Sequence, residues 1–313
     1  MDCVFGIDIG GTNIKIGKFY NDQIVAKTQI KTNTKDKGIY IFNDIADVIA
    51  NMIGDDHLVG IGLGVPGPVV DGVVLGAQNL GWGRFNAEEE LQKYYPNAVI
   101  RVLNDANAAA VGEWAYGGGS GFRSFIFMTL GTGIGGGLII DNELIEGASG
   151  STGEIGHIRV GFYNDRLCTC GLYDCIEQYA SATGIVITAN RLRVGRETIL
   201  NEVEVTSKNV FDYAQTGDLV CLEVVNNMVE KLASALAAIT NTINPEAIVI
   251  GGGVSKAGHF LLDRVEKRFR ELAFFSVRET KFALAQIGND AGMYGCSYEV
   301  RKKICKLKDS VQN

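Results

Sequence analysis

The chain has 313 residues, of which 46% are hydrophobic and 21% are charged, which is enough apolar material for the cores of about two domains. Its formal net charge of -7 argues against non-specific binding of nucleic acid, which requires a basic surface. No apolar stretch is continuous enough to span a membrane, and the first residues carry neither the basic nor the apolar part of a signal peptide.

The first predicted elements are two strands, residues 3–9 and 13–20, joined by the turn Gly10-Gly11-Thr12. The backbone N–H groups of such a turn can point at a phosphate, and Lys15 adds a cation beside them. Asp8 ends the first strand with a hard oxygen ligand that is suited to Mg²⁺. A plain hairpin can have the same Gly-Gly turn, so this stretch alone leaves both interpretations open.

The same pattern returns 121 positions later. Leu130-Gly131-Thr132-Gly133 follows an apolar strand, 125–128, and precedes another, 137–140. At the same offset, the polar turn at Asn21 meets the polar turn at Asn142. This correspondence predicts an internal duplication of an α/β half. Two glycine turns of this kind could hold a triphosphate between them.

Helices and strands separate the two repeats. Helical periodicity over 39–53 and a capping box at Asn86 predict two helices. Two strands are also predicted, at 59–65 and at 99–103. The second is followed directly by Asn104-Asp105 and an Ala-rich helix. Ligands bind at the carboxyl edge of open α/β sheets, and a carboxylate there can take a proton from a substrate hydroxyl. Both residue types are also favoured helix caps, so position alone does not decide their role.

The run Gly117–Gly121 is the best candidate for a linker, and we place a domain boundary there. The division predicts a small N-terminal α/β domain, residues 1–117, and a larger α/β domain, residues 118–296. A final helix, about 297–313, is expected to pack back on the small domain. Within the large domain the pattern predicts helices at 179–193, 207–215, 218–241 and 257–272, a strand at 247–250 that runs into three glycines, and an extended segment at 282–287.

The segment from Glu154 to Glu177 contains four metal-ligand side chains, His157, Cys168, Cys170 and Cys175. One imidazole and three thiolates suit a closed tetrahedral zinc site, although an iron–sulfur cluster or a loop of reduced cysteines is possible from the same residues. A metal ion would also draw the two terminal carboxylates together into a polar pocket. Seven cysteines, an odd number, favour a reducing cytoplasm over a disulfide framework.

Taken together and in this order, the motifs resemble those of the ROK (repressor, open reading frame, kinase) family over about residues 4–300. The residues that carry the resemblance are Asp8-Ile9-Gly10-Gly11-Thr12, Pro66-Gly67-Pro68, Asn104-Asp105-Ala106-Asn107-Ala108-Ala109, Gly112-Glu113, Leu130-Gly131-Thr132-Gly133, Glu154-Ile155-Gly156-His157, Cys168-Thr169-Cys170-Gly171, Cys175-Ile176-Glu177 and Asn244-Pro245 to Gly253. The resemblance implies an actin-like, ribonuclease-H-like fold of two duplicated α/β domains around a cleft.

The resemblance also implies phosphorylation of a hexose by ATP, with Asp105 as the general base for the sugar hydroxyl and a structural Zn²⁺ on the His/Cys cluster. The residues it implies for sugar binding, besides Asp105, are Gly64, Val65, Asn79, Asn104, Glu154, His157 and Glu177. Those it implies for the phosphates and Mg²⁺ are Asp8, Gly10, Gly11, Thr12, Asn13, Lys15, Gly131, Thr132 and Gly133. Those it implies near the adenosine are Gly252, Gly253 and Asn289.

Two positions depart from the family pattern. Asp174 stands where the family usually has Gly, and the spacing of 11 from His157 to Cys168 is one longer than expected. Glucose is the expected sugar, since Asn79-Leu80-Gly81-Trp82 resembles the glucokinase branch. The alternatives are N-acetylmannosamine, N-acetylglucosamine, fructose or allose, a sugar-sensing repressor, and a cluster-bearing activator ATPase. We expect a homodimer or homotetramer in the cytoplasm, with no nucleic-acid or membrane partner.

Overall fold

Two five-stranded sheets and one small three-stranded sheet, with their helices, form the structure, a computed structural model that describes residues 1–312. The first half of the chain forms β1 (Asp2–Ile9), β2 (Asn13–Tyr20), β3 (Gln23–Lys31), α1 (Ile41–Ile53), β4 (His57–Val65), β5 (Val69–Val70), β6 (Val73–Val74), β7 (Phe85–Asn86), α2 (Ala87–Gln92), β8 (Val99–Asn104) and α3 (Asp105–Tyr116). The second half forms β9 (Phe125–Leu130), β10 (Ile134–Ile140), β11 (Glu143–Leu144), α4 (Glu177–Ala180), α5 (Ala182–Leu192), α6 (Ser207–Gln215), α7 (Leu219–Ile243), β12 (Ala247–Gly251), α8 (His259–Leu272), β13 (Lys281–Leu284) and α9 (Ala291–Gln312). Asn313, the last residue of the predicted final helix, lies outside the described residues.

The two sheets share one topology. Their strand orders are β3-β2-β1-β4-β8 and β11-β10-β9-β12-β13. In each sheet the first strand pairs antiparallel with the second and parallel with a later strand. The glycine turns occupy equivalent places, between β1 and β2 and between β9 and β10. This equivalence confirms the duplicated α/β fold that the sequence predicts.

The third strand of the second repeat is shorter than its counterpart. β3 has nine residues, whereas β11 has two. After β11 the chain leaves the sheet and forms the irregular segment that carries the metal-ligand side chains. The second repeat thus replaces most of one edge strand with the insertion that the sequence places at residues 154–177.

The predicted helix at 179–193 is wrong in one respect, because the chain breaks at Ser181. Its backbone is extended (φ -74°, ψ 165°), and its hydroxyl accepts a hydrogen bond from the Gly184 N–H as the N-cap of α5. A serine hydroxyl can begin a new helix in this way, and periodicity alone does not register the break. None of the helices in residues 1–312 has the length and apolar character that a membrane span requires.

The final helix packs on the first sheet, although it follows the second sheet in sequence. Met293 and Val300 of α9 join Val4 and Phe19 in one buried apolar cluster. A side chain at Gly62 would collide with the backbone of α9 at Cys296, so glycine permits this close approach. The core of the first half is therefore completed by α9, which begins at Ala291.

One buried carboxylate accepts hydrogen bonds from both segments in which the chain crosses from one half to the other. Glu113, near the end of α3, is 1% exposed and accepts the backbone N–H of Gly118 in the first crossing. In the second crossing, between β13 and α9, it accepts the N–H groups of Gln286, Ile287 and Gly288 at 2.8–3.2 Å. The predicted extended segment 282–287 is a strand only as far as Leu284, because the N–H groups of Gln286 and Ile287 are bonded to Glu113.

Candidate active site

The carboxyl ends of β1, β4 and β8 meet at one edge of the first sheet. The register aligns Asp8 with Gly64 and Val65 with Asn104. Asp105 follows directly as the first residue of α3. The strand pairing therefore gathers predicted magnesium, sugar and catalytic residues at the edge where α/β sheets bind ligands.

Asn104 serves as the cap of α3. Its Oδ1 accepts the N–H groups of Ala106 and Asn107 at 2.9 and 3.0 Å, and its Nδ2 donates to the Gly67 carbonyl at 3.1 Å. An amide nitrogen carries two hydrogens, so one remains for a ligand. Because Asn104 supplies the cap, the neighbouring Asp105 carboxylate is not required for that role.

Asp105 lies in surroundings that favour its neutral form. Burial raises the pKa of Asp105 to about 7, the negative charges of Asp8 and Glu154 add to the rise, and the hydrogen bond from the Ala106 N–H opposes it. The bond from Ala106 to Oδ1 measures 2.8 Å. A carboxylate with a pKa near neutrality is matched to proton transfer at physiological pH.

The first glycine turn is closed by the hydrogen bond from the Gly10 N–H to the Asn13 carbonyl, 2.9 Å. Gly11 and Thr12 are exposed at its tip. Beside the turn, Lys15 Nζ lies 3.1 Å from Asp8 Oδ2 and donates to the Asn289 carbonyl at 2.7 Å. The structure thus joins three of the predicted nucleotide residues, Asp8, Lys15 and Asn289, into one polar cluster.

Asn79 also lies beside this turn, since a side-chain carbon at Gly11 would come within 3.4 Å of its Nδ2. The sequence predicts Asn79 as a sugar residue, and this contact places it next to the predicted phosphate-binding backbone.

The second glycine turn is closed in the same way, by a 2.9 Å bond from the Gly131 N–H to the Gly133 carbonyl. Thr132 is exposed at the tip, and its carbonyl accepts the Thr183 hydroxyl at 2.9 Å. Gly252 follows β12 with a φ of +86° and packs against the backbone of Leu130, where no larger residue would fit. The loop of Gly252 and Gly253 therefore lies beside the second turn.

The four predicted metal ligands converge. Their ligand atoms all lie within 4.8 Å of one another. The Cys170 and Cys175 sulfurs are 3.6 Å apart, and the Cys168 sulfur is 3.6 Å from His157 Nδ1. Tetrahedral zinc with Zn–S bonds of about 2.3 Å needs sulfurs about 3.8 Å apart, so the donor set and its spacing fit one zinc ion. All seven cysteines are unpaired, as thiolate ligation requires.

His157 lies between this cluster and the Glu154 carboxylate. While Nδ1 faces Cys168, Nε2 is 3.8 Å from Glu154 Oε2. Both side chains are partly exposed, 34% and 43%. One ring nitrogen is thus available to a metal ion and the other to a ligand beside the Glu154 carboxylate.

Glu177 connects the metal-binding segment to the second glycine turn, a link that sequence reasoning does not predict. Its Oε2 accepts the Ile134 N–H at 2.9 Å, and its Oε1 is 4.0 Å from the Cys168 sulfur. Gly133 packs so closely that a side chain there would overlap the carboxylate. Glu177, which the sequence predicts as a sugar-binding residue, therefore holds the second glycine turn with its Oε2. The glycine at position 133 is the single sequence signal of this contact.

Comparison with known proteins agrees with this geometry. A family model described as the ROK family matches residues 4–303. A glucokinase of Halalkalibacterium halodurans is 38% identical over 319 residues, which cover 95% of this chain and 94% of the relative. The crystal structure of a ROK family glucokinase from Streptomyces griseus, in complex with glucose and AMPPNP, matches with a TM-score of 0.80 and 32% identity, covering 96% of this chain and 99% of that one.

The family also contains regulators. A xylose repressor of Caldicellulosiruptor bescii is 31% identical over 247 residues, which cover 76% of this chain and 61% of the repressor. The repressor match therefore leaves more than a third of that protein without a counterpart here, whereas the glucokinase match is nearly complete on both sides.

Proposed function

The chain belongs to the ROK family, and on this premise we propose that it is an ATP-dependent kinase that phosphorylates the 6-hydroxyl of glucose. The kinase activity is supported by the near-complete match to a glucokinase and to a glucokinase structure with glucose and AMPPNP. The single observation that carries the assignment in this chain is the position of Asp105, whose pKa is raised by burial and by the charges of Asp8 and Glu154.

The proposed sugar site has Asp105 at its centre. The Glu154 carboxylate accepts hydrogen bonds from sugar hydroxyls, the free Asn104 Nδ2 hydrogen donates to one, and His157 Nε2 accepts or donates according to its tautomer. The ionised Asp105 accepts the proton of the attacking hydroxyl. General-base catalysis of this kind contributes roughly 10²–10⁴-fold. The remaining Glu177 oxygen and the backbone at Gly64 and Val65 complete the set.

The proposed nucleotide site lies between the two glycine turns. Exposed N–H groups and hydroxyls at Thr12 and Thr132 bind phosphate oxygens, and Lys15 neutralises charge. Asp8 would hold Mg²⁺, which would supply further charge neutralisation when bound. Gly252 and Gly253 offer a flat backbone surface to the nucleoside. Closure of the two halves on the sugar excludes water that would otherwise hydrolyse ATP.

Zinc has a structural part in this proposal. His157, Cys168, Cys170 and Cys175 would hold the zinc ion, and ligation would fix the imidazole of His157 and with it the orientation of Nε2. We also propose a cytoplasmic location, in keeping with unpaired cysteines, and a homodimer or homotetramer, which light scattering would measure.

The decisive experiment is a coupled ADP-release assay over a panel of hexoses and acetamido-hexoses, with zinc content measured on the same sample. We expect the highest kcat/KM with glucose and about one zinc per chain. Preference for N-acetylmannosamine, N-acetylglucosamine, fructose or allose would overturn the choice of sugar. Sugar binding without ADP release from any of them would overturn the kinase assignment and favour a sensor, and iron in place of zinc would favour a cluster-bearing ATPase.

A further inference from the structure

We propose that Asp174 is a positioning residue that holds the metal-binding segment, and through it His157, in the shape that sugar binding needs. The inference rests on the proposed function for its catalytic consequence, but its structural part concerns metal retention alone.

Asp174 has an unusual backbone and an unusually well-bonded side chain. Its φ is +61°, a left-handed conformation that favours glycine, yet the residue is an aspartate with 0% exposure. The carboxylate accepts the backbone N–H groups of three successive residues, Asn164, Asp165 and Arg166, at 2.9, 3.0 and 3.0 Å. It also accepts the Tyr179 hydroxyl at 2.8 Å.

Three consecutive N–H groups that converge on one point form a concave site for an anion. Here the anion is part of the protein. Residues 162–166 form no helix or strand, and the adjacent Phe162 and Tyr163 are 84% and 94% exposed. Without the carboxylate, these N–H groups would have to turn to water, and the segment would lose its internal support.

The main chain of Asp174 strengthens the same junction. Its carbonyl accepts the Val160 N–H at 2.9 Å, and its own N–H donates to the Arg166 carbonyl at 2.8 Å. Val160 follows His157 closely, and Arg166 precedes Cys168 closely. Asp174 itself precedes Cys175. The residue therefore joins the three parts of the segment that carry the metal ligands.

The junction is anchored to the helical core by Arg166. Its guanidinium lies 4.2 Å from the centre of the Tyr179 ring, and its Nη1 donates to the Gln178 carbonyl at 2.5 Å and to the Thr188 hydroxyl at 3.0 Å. Through these contacts the bonds around Asp174 connect the irregular segment to α4 and α5.

The competing explanation is that Asp174 merely occupies a turn in which glycine would serve better. Replacement by glycine separates the two, because it relieves the left-handed backbone while it removes the carboxylate. A simple turn would make Asp174→Gly neutral or stabilising. A positioning role makes the same change harmful to the metal site.

The test compares Asp174→Gly and Asp174→Asn with Asp71→Gly, a matched control at an exposed turn aspartate whose φ is +48°. The first measurement is the rate at which zinc passes from the protein to a chromophoric chelator, without sugar or ATP. We expect Asp174→Gly to release zinc roughly 10–100-fold faster, the usual effect of a lost supporting contact. Asp174→Asn, which keeps one acceptor oxygen and tolerates a left-handed φ, should fall between it and the wild type.

The second measurement is glucose phosphorylation with and without added zinc. Asp174→Asn should raise the KM for glucose more than it lowers kcat, and excess zinc should restore the KM. Zinc release and KM within twofold of the wild type in Asp174→Gly would overturn the proposal, as would an equal effect in Asp71→Gly. Should Asp174→Gly fail to fold, Tyr179→Phe removes one bond to the carboxylate, and unchanged zinc release in both Tyr179→Phe and Asp174→Asn would overturn it.

A wild-type protein that is inactive on glucose would contradict the proposed function and leave the zinc-release result unaffected.

Discussion

At the scale of the residue, the most informative property is the free energy that the native surroundings add to ionisation of the Asp105 carboxyl group. The native surroundings raise its pKa, first through burial and then through Asp8, so the residue is held in a state that is less stable when ionised. Proton acceptance from a substrate hydroxyl relieves that strain. Catalytic use and native-state instability thus have the same physical origin.

Replacement of the base should separate chemistry from binding. We expect Asp105→Asn to lower kcat by roughly 10²–10⁴-fold, because the amide cannot accept the proton, while the dissociation constant for sugar changes by less than about tenfold. Steady-state kinetics and calorimetric titration measure the two quantities. Near-normal turnover would refute the role of Asp105.

The pH dependence of activity should follow the same group. Since the ionised form is the base and the pKa is about 7, kcat/KM should rise from pH 6 to pH 8 and then level off. Sugar binding measured over the same range serves as the control. A flat kcat/KM profile between pH 6 and pH 8 would contradict this assignment.

Stability should show the opposite trend. Between the ordinary value of 3.8 and about 7, the native state binds more protons at Asp105 than the unfolded state does, so this residue makes unfolding easier as pH rises through that window. Above it the ionised carboxylate costs on the order of 2–4 kcal/mol, and Asp105→Asn removes that cost. We expect the variant to have a higher Tm than the wild type at pH 8 and a smaller advantage at pH 5. An unchanged difference at the two values would contradict the argument.

At the scale of the element, the metal-binding segment and the two glycine turns are coupled through Glu177. Local patterns were enough to predict the turns, the candidate ligands His157 and Cys168, and most of the longer strands, because each depends on neighbouring residues. The two-residue strands β5, β6 and β7 were not predicted. The bond from Ile134 to Glu177 and the four bonds to Asp174 could not be predicted, because they join residues whose approach is determined by the folded chain. The break at Ser181 was missed for a local reason, a cap inside a helical pattern.

Removal of zinc should weaken sugar binding more than nucleotide binding. Without the metal ion, Nδ1 of His157 is no longer fixed, and Nε2 loses its orientation beside Glu154. We expect the affinity for glucose to fall roughly 10–100-fold after chelation and to recover when zinc is restored. Unchanged sugar affinity in metal-free protein, measured calorimetrically, would count against this role.

The coupling through Glu177 can be tested at two neighbouring glycines. A methyl group at Gly133 would overlap the Glu177 carboxylate, whereas one at Gly131 would meet only the Gly133 carbonyl, 3.9 Å away. We expect Gly133→Ala to raise the KM for both glucose and ATP, and Gly131→Ala to raise the KM for ATP alone. The same pattern in both variants would show that Glu177 does not transmit the change.

At the scale of the whole molecule, Glu113 holds both connections between the two halves. Loss of its carboxylate leaves four backbone N–H groups with an impaired partner, that of Gly118 in a buried place and those of residues 286–288 in a partly buried one. We expect Glu113→Gln to cost about 2–4 kcal/mol of unfolding free energy. The exposed Glu246, which accepts the Arg123 and Ser124 N–H groups, is the matched control, and Glu246→Gln should cost less than about 1 kcal/mol. Equal losses in urea unfolding would contradict the buried role.

The return of α9 to the first sheet has a consequence for biosynthesis. Val4 and Phe19 leave the ribosome early, but their apolar partners Met293 and Val300 emerge only after the entire second half has been translated. During that interval the apolar face of the amino-terminal sheet lacks the α9 residues that cover it in the native structure. Nascent chains with exposed apolar surface are prone to aggregate and are bound by chaperones. A chain that stops just before Ala291 should therefore have a protease-sensitive amino-terminal half, whereas a chain from which α9 has fully emerged should be resistant.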